Sequence, residues 1–173
     1  NLPHDNVRAV YYDSLQQVLW LGTHLKGLNR LDMKTGHFTQ YKNKKGDSSS
    51  LPSNLVEDII PYQKQLILAT ANGVTLFNPQ TGKCKLLFQD KNALYNTIST
   101  IGLTLDHEGT LWIANNNSGA CAYHFDSQKF SIYKHKNSNK HSLSSNSINS
   151  IYEDSQKRLW FCTNENGLDL YRK

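Results

Sequence analysis

The residues able to do chemistry are easily located, and their spacing gives most of them a structural explanation. Asp106-His107-Glu108-Gly109 gathers two carboxylates and an imidazole, the composition of a cation site. Asp13 and Asp154, however, hold the same place in two other stretches that share the surrounding pattern. A hairpin turn whose carboxylate accepts hydrogen bonds from nearby backbone N–H groups accounts for all three. Calcium takes about six or more oxygens from a defined loop, which the sequence lacks. His4, His24, His37, His107, His124, His135 and His141 are scattered, without the close pairing on one element that zinc favours, and read as surface residues. No serine is framed as a Gly-x-Ser-x-Gly nucleophile elbow. No catalytic residue, metal site or cofactor is therefore expected.

Binding is a different matter. His24, Lys26, Asn72, Asn115, Asn116, Asn117, Asn164, Glu165 and Asn166 each follow a short apolar run. Asn, His and Lys side chains hydrogen-bond hydroxyls or carboxylates, which makes His24, Lys26, Asn72, Asn115, Asn117, Asn164 and Asn166 the candidate ligand-binding residues. The competing reading is that asparagine simply suits tight turns. Trp20, Trp112 and Trp160 have faces on which a sugar can stack, but their recurrence inside apolar strands points to core packing.

The elements that must position these groups repeat. Leu19-Trp20-Leu21-Gly22-Thr23 returns as Leu66-Ile67-Leu68-Ala69-Thr70, as Leu111-Trp112-Ile113-Ala114-Asn115 and as Leu159-Trp160-Phe161-Cys162-Thr163, with the Trp slot recurring at intervals of 47, 45 and 48 residues. A fixed period of that size marks a repeat architecture. Each apolar run is too short for a helix and reads as a buried strand. The small slot that follows (Gly22, Ala69, Ala114, Cys162) lets a neighbouring sheet come close. Gly27, Gly73, Gly119 and Gly167 stand where the chain must reverse, and glycine takes positive φ there without steric cost.

Four short antiparallel strands per repeat, fifteen in all with the last repeat one short, are the signature of propeller blades. The expected fold is all-β: a partial β-propeller of about four blades, at 1–50, 51–92, 93–142 and 143–173, the last incomplete. Expected strands include Asp5 to Tyr12, Cys84 to Phe88, and a third repeat opening from Asn96 through Ile98 and Ile101. Such a chain is not expected to close a ring by itself. Its start, Asn1-Leu2-Pro3-His4, lacks an initiator Met and suggests a piece excised from a longer chain.

Composition narrows the partners. The 173 residues are 38% hydrophobic, enough for a core, and no run approaches the roughly 18 apolar residues of a membrane span. The net charge of +5 is concentrated at Lys42, Lys44 and Lys45 and at Lys134, His135, Lys136, Lys140 and His141, in connectors between repeats. These lack interleaved stacking aromatics beyond the flanking Tyr41 and Tyr133, so nucleic acid is not an expected partner. Cys84, Cys121 and Cys162 occupy different repeat slots and imply no pairing.

Leu143-Ser144-Ser145-Asn146-Ser147-Ile148, followed by Ile151, Asp154, Leu159-Trp160-Phe161-Cys162-Thr163 and Gly167-Leu168, resembles the two-component regulator propeller repeat. The resemblance covers essentially the whole chain, repeats one and four most closely; repeat two departs, with Ile67 for Trp and Pro61-Tyr62 where Asp is usual. It implies a seven-bladed propeller in the periplasmic sensor region of a hybrid two-component histidine kinase, of the type known from gut Bacteroides. Such sensors respond to glycan fragments and switch on polysaccharide-degrading gene clusters. On this reading the fragment is not itself an enzyme, its partners are the remaining blades of the same receptor and an oligosaccharide, and it meets the membrane only through the full-length receptor. Exposed edge strands predict that the isolated fragment self-associates. Two other classes compete: a protein-interaction scaffold without a small-molecule ligand, and a propeller enzyme such as the streptogramin lyases, which would need a His/Glu metal cluster that these loops do not assemble.

Overall fold

The computed structural model describes residues 6–87 and 100–171. His4, the start of the first expected strand at Asp5, Phe88, and the expected opening of the third repeat at Asn96 and Ile98 lie outside the described residues. The chain forms two compact units, Asn1–Ser99 and Thr100–Lys173.

The first unit holds two four-stranded antiparallel sheets in which the strands pair in chain order. The first sheet is β1 (Val7–Asp13), β2 (Val18–Thr23), β3 (Leu28–Asp32) and β4 (Phe38–Tyr41); the second is β5 (Val56–Tyr62), β6 (Gln65–Thr70), β7 (Gly73–Asn78) and β8 (Lys83–Leu86). In the second unit, β9 (Thr100–Leu105), β10 (Thr110–Asn115), β11 (Gly119–His124) and β12 (Lys129–Tyr133) form a four-stranded sheet, and β13 (Ile148–Glu153), β14 (Leu159–Thr163) and β15 (Leu168–Tyr171) a three-stranded one. These are meander sheets of propeller-blade type, fifteen strands among the described residues. The expected all-β fold of four blades, the last one strand short, is the observed one. No helix among the described residues is long and apolar enough to cross a membrane.

Each unit is held by apolar side chains packed between its two blades. In the first, Trp20, Leu28, Val56, Leu68 and Phe77 share one core; Trp20 stands edge-on to Phe77 at 5.4 Å, and Tyr41 closes on both rings. In the second, Trp112, Ile148 and Phe161 take the equivalent places, with Tyr133 and Tyr171 against them. Full burial of one such side chain is worth about 1.5–3 kcal/mol, so these clusters are the main stabilising term in each unit. Trp20 and Trp112 are each 2% exposed, as the core reading requires. Trp160 is only half-buried, with the Arg158 guanidinium over its ring at 5.3 Å.

The small slot has a geometric cause. A Cβ on Gly22 would lie 2.8 Å from the Val56 carbonyl oxygen of the neighbouring blade, closer than packed atoms approach. The turn glycines Gly27, Gly73, Gly119 and Gly167 all have positive φ, and at Gly27 a Cβ would stand 2.1 Å from the Tyr41 carbonyl oxygen.

One irregularity recurs in every blade and positions the loop face. The register between the first and second strands shifts once per sheet, leaving Arg8, Glu57, Ile101 and Asn149 as unpaired extra residues. Such bulges bend a strand and re-aim the side chain they carry.

Candidate functional site

Within each blade, the turn between its second and third strands lies at the same end as the bulged start of its first strand, because Val7 pairs with Thr23 and Ile148 with Thr163. The turn is built by a threonine. The Thr23 hydroxyl donates to the Gly27 carbonyl at 2.9 Å and accepts from the Lys26 N–H at 3.1 Å. Thr70 does the same with Gly73 and Asn72, and Thr163 with Gly167 and Asn166. Blade three has Asn115 in this slot.

The turns also grip the segment that joins one blade to the next. Gly27 N–H donates to the Asn54 carbonyl at 2.8 Å, and Gly119 N–H to that of Asn146 at 2.7 Å. From the following blade, Asn72 Nδ2 donates to the Pro52 carbonyl at 2.8 Å and Asn166 Nδ2 to the Ser144 carbonyl at 2.7 Å. Two of the expected ligand-binding asparagines, Asn72 and Asn166, therefore spend their amides holding the inter-blade segment. Asn164 accepts from the Asn149 amide at 3.4 Å, a turn-to-bulge contact.

The other candidates divide differently. In the first unit, His24 and Lys26 sit half-buried on one turn, with the bulged Arg8 and Glu57 paired nearby in the fold at 2.7 Å. In the second unit, Asn117 is exposed in a left-handed conformation (φ 69°). Asn115 is 1% exposed; its Oδ1 accepts from Thr100 at 3.5 Å while its Nδ2 has no hydrogen-bond partner. The structure thus assembles one loop face per unit, both offering N–H donors and carbonyl acceptors, the first adding the His24 imidazole and the Lys26 ammonium. Such groups can hydrogen-bond hydroxyls or carboxylates.

The acidic turns behave as the sequence implies. Asp13 accepts from the Leu15 and Gln16 N–H groups, Asp106 from Glu108 and Thr110, and Asp154 from Gln156 and Arg158. Sequence reasoning missed a second bond: Trp112 Nε1–H donates to Asp106 at 2.8 Å and Trp160 Nε1–H to Asp154 at 2.9 Å. The Trp160 bond, with the Arg158 groups after it, holds the Asp154 carboxyl well below the usual carboxylate range. A constant spacing of six residues between Asp and Trp in repeats three and four carried that signal. The bulged Arg8 and Glu57 were missed as well, since a bulge leaves no trace in composition. Among the described residues, no group of three or more His, Cys, Asp or Glu could hold a metal ion.

Comparison with known proteins follows the same lines. The profile of the family described as Two component regulator propeller matches residues 142–165. The match covers 24 of the 173 residues. The match spans the inter-blade segment, β13 and β14 up to Thr163 and two turn residues, so the repeat includes the Asp154–Trp160 pair and the Asn146 clasp. No curated protein matches the chain in sequence. Among solved structures, the extracellular domain of BT3049 from B. thetaiotaomicron, assigned to a hybrid two component system, aligns with 99% of this chain and 23% of its own, at 23% identity and a TM-score of 0.82. The extracellular domain of BT4673 from the same organism, assigned to a one component system, aligns over 99% of this chain and 22% of its own, at 23% identity and a TM-score of 0.81. The computationally designed Ika4 protein aligns over 98% of this chain and 93% of its own at 8% identity and a TM-score of 0.66. At these identities the likeness is one of fold, and the chain spans under a quarter of the two natural relatives.

Proposed function

We propose that this chain is part of the periplasmic ligand-sensing propeller of a hybrid two-component sensor histidine kinase, in which it binds rather than catalyses. The observation that carries the reading is the two-component regulator propeller repeat at 142–165; the fold shared with extracellular domains of two B. thetaiotaomicron signalling proteins supports it. The ligand class proposed is a glycan fragment, whose recognition regulates polysaccharide utilisation genes, and the remaining blades of the receptor are its structural partners. Recognition is assigned to the turn faces, with His24, Lys26, Asn117 and Asn164 as the contacts, while Asn72 and Asn166 keep those turns in place and Asn115, 1% exposed, lies beneath the surface of its turn.

Two measurements test this. A native chain several times heavier than 19.7 kDa is expected in source material; a native mass near that value would remove the receptor. Glycan binding by the full ectodomain is expected to fall when His24, Lys26 and Asn117 are replaced by alanine, and unchanged affinity would remove the turn face.

A further inference from the structure

The same loop joins the two blades of each unit, and the two copies differ in the side chain that fastens it. Loop 43–51 lies between blades one and two, and loop 135–143 between blades three and four. Asn43 N–H donates to Asn54 Oδ1 as His135 N–H does to Asn146 Oδ1, both at 2.8 Å. Lys44 N–H donates to Ser50 Oγ as Lys136 N–H does to Ser142 Oγ, both at 2.9 Å. In the first unit the loop is also seated on β8, where Cys84 N–H donates to the Ser49 carbonyl at 2.7 Å.

One further bond ties the start of each loop to its end. Asn43 Nδ2 donates to the Leu51 carbonyl at 2.6 Å, and His135 Nδ1 takes that place against the Leu143 carbonyl, also at 2.6 Å. A carbonyl only accepts, so Nδ1 carries a proton here. The other ring nitrogen meets a second acceptor, Nε2 standing 2.7 Å from Asn137 Oδ1. The first unit has Lys45 where the second has Asn137, and so has no counterpart of this contact. An imidazole can donate from both nitrogens only as the cation; the neutral ring keeps one N–H and turns a lone pair towards the other oxygen. The amide of Asn43 has no such proton to lose.

The surrounding charges do not reverse this preference. Lys134, Lys136, Lys140 and His141 share the stretch and oppose a second positive charge, but all four are exposed and act through solvent. Asp169, on β15, favours the cation, and the phenols of Tyr133 and Tyr171 are hydrogen-bonded to each other at 3.3 Å. The bond to Leu143 first, then that to Asn137, hold the His135 pKa above the ordinary imidazole value, and Asp169 adds to them. The loop in turn reaches the recognition turn of its unit: Asn146, which accepts from His135 N–H, offers its carbonyl to Gly119 N–H at 2.7 Å.

We propose that His135 is a pH-operated latch on the joint between blades three and four. As the cation it fastens loop 135–143 to Leu143 and Asn137; loss of the proton releases one of the two bonds and loosens the loop, while the joint between blades one and two, fastened by Asn43, stays closed. By linkage, the stabilisation is complete below the unfolded value of about 6.5 and is lost as pH rises through the higher folded value.

NMR of the 173-residue chain between about pH 5 and 8 tests the latch. The ring nitrogen shifts of His135 should show both sites protonated at the acid end, with a midpoint above that of the same residue in denaturant. Across the range the Lys136 amide, corrected for its intrinsic exchange rate, should lose about fivefold of its protection, the worth of about one net hydrogen bond, and the Lys44 amide none. His135→Asn, which copies the first unit, should keep that protection and abolish its pH dependence, and Asn137→Ala should lower the midpoint. A midpoint equal to the denatured one, or a Lys136 amide indifferent to pH, overturns the latch. Dependence that survives His135→Asn assigns the titrating group elsewhere, His141 being the next candidate on the loop, and overturns it as well. An unaltered midpoint in Asn137→Ala would mean that the Asn137 amide turns to donate, and overturns the two-acceptor lock. None of these outcomes depends on what the propeller binds.

Discussion

Substituting alanine at two turn glycines separates backbone conformation from close contact. Gly119 and Gly167 occupy equivalent turns with nearly equal φ, +80° and +78°. A Cβ on Gly167 meets nothing within 4 Å, whereas one on Gly119 would lie 2.0 Å from the Tyr133 carbonyl oxygen. Gly167→Ala therefore loses only the cost of an alanine in the left-handed region, about 1–2 kcal/mol. Gly119→Ala loses that and more. A carbon and an oxygen in contact sit about 3.3 Å apart, so the Tyr133 carbonyl must retreat by about 1.3 Å. That retreat disturbs the pairing of Tyr133 with Ala120 and the 2.7 Å bond from Gly119 N–H to Asn146. At about 1 kcal/mol for each hydrogen bond weakened, the total reaches about 3–4 kcal/mol. Urea denaturation followed by tryptophan fluorescence reads the difference as a shift in midpoint at constant slope. If the two variants lose stability to within about 0.5 kcal/mol, the close approach at Gly119 is not a constraint in solution and the reasoning fails.

Three further outcomes are expected. The folded Asp154 carboxyl is held below its usual pKa by Trp160 Nε1–H and then by Arg158, so its contribution is present above the unfolded value near 4 and is lost as pH falls through the folded value; Asp154→Asn should remove that acid-side dependence, and an unchanged acid unfolding curve would contradict it. Burial pushes the Cys84 and Cys121 thiols up to about 12, so a thiol reagent at neutral pH should modify the native chain at the half-buried Cys162 alone, with all three labelled in denaturant; rapid native labelling of Cys121 would refute its burial. Asn166→Ala should cost about 1 kcal/mol through the lost bond to Ser144 with glycan affinity retained once folded, and a selective loss of affinity would return Asn166 to the recognition set.

Much of the fold was legible because a blade is a local object. The period of the Trp slot, the alternation within each strand and the turn glycines all act over a few residues, and among the described residues most predicted strands were found with ends shifted by one or two positions, the third strand of the third blade starting earlier, at Gly119. The fourth strand of the second blade, for example, begins at Lys83 rather than Cys84. The loop face was less legible. In sequence, Asn72, Asn117 and Asn166 look alike, and only the path of the inter-blade segment shows that Asn72 and Asn166 are committed to carbonyls while Asn117 is exposed. The Trp–Asp bonds follow from turn length: six residues separate the pair in repeats three and four, whereas seven separate Asp13 from Trp20. The bulges at Arg8 and Glu57 depend on how two strands slide past one another, which no single-strand pattern records.

The clasp also constrains how a ligand at these turns can act. In the first unit, the turn that carries His24 and Lys26 donates through Gly27 to Asn54, the turn that carries Asn72 donates to Pro52, and Asn54 caps the loop that is seated on β8. A ligand that shifts the His24 turn therefore shifts, through bonds of ordinary length, the segment that spaces two blades. It moves the equilibrium only if it binds one spacing better than the other. Replacing Asn54 by alanine removes the link from clasp to loop while leaving His24 and Lys26 in place. Ligand affinity should then be retained and signalling weakened, and loss of both together would mean that the clasp only builds the site.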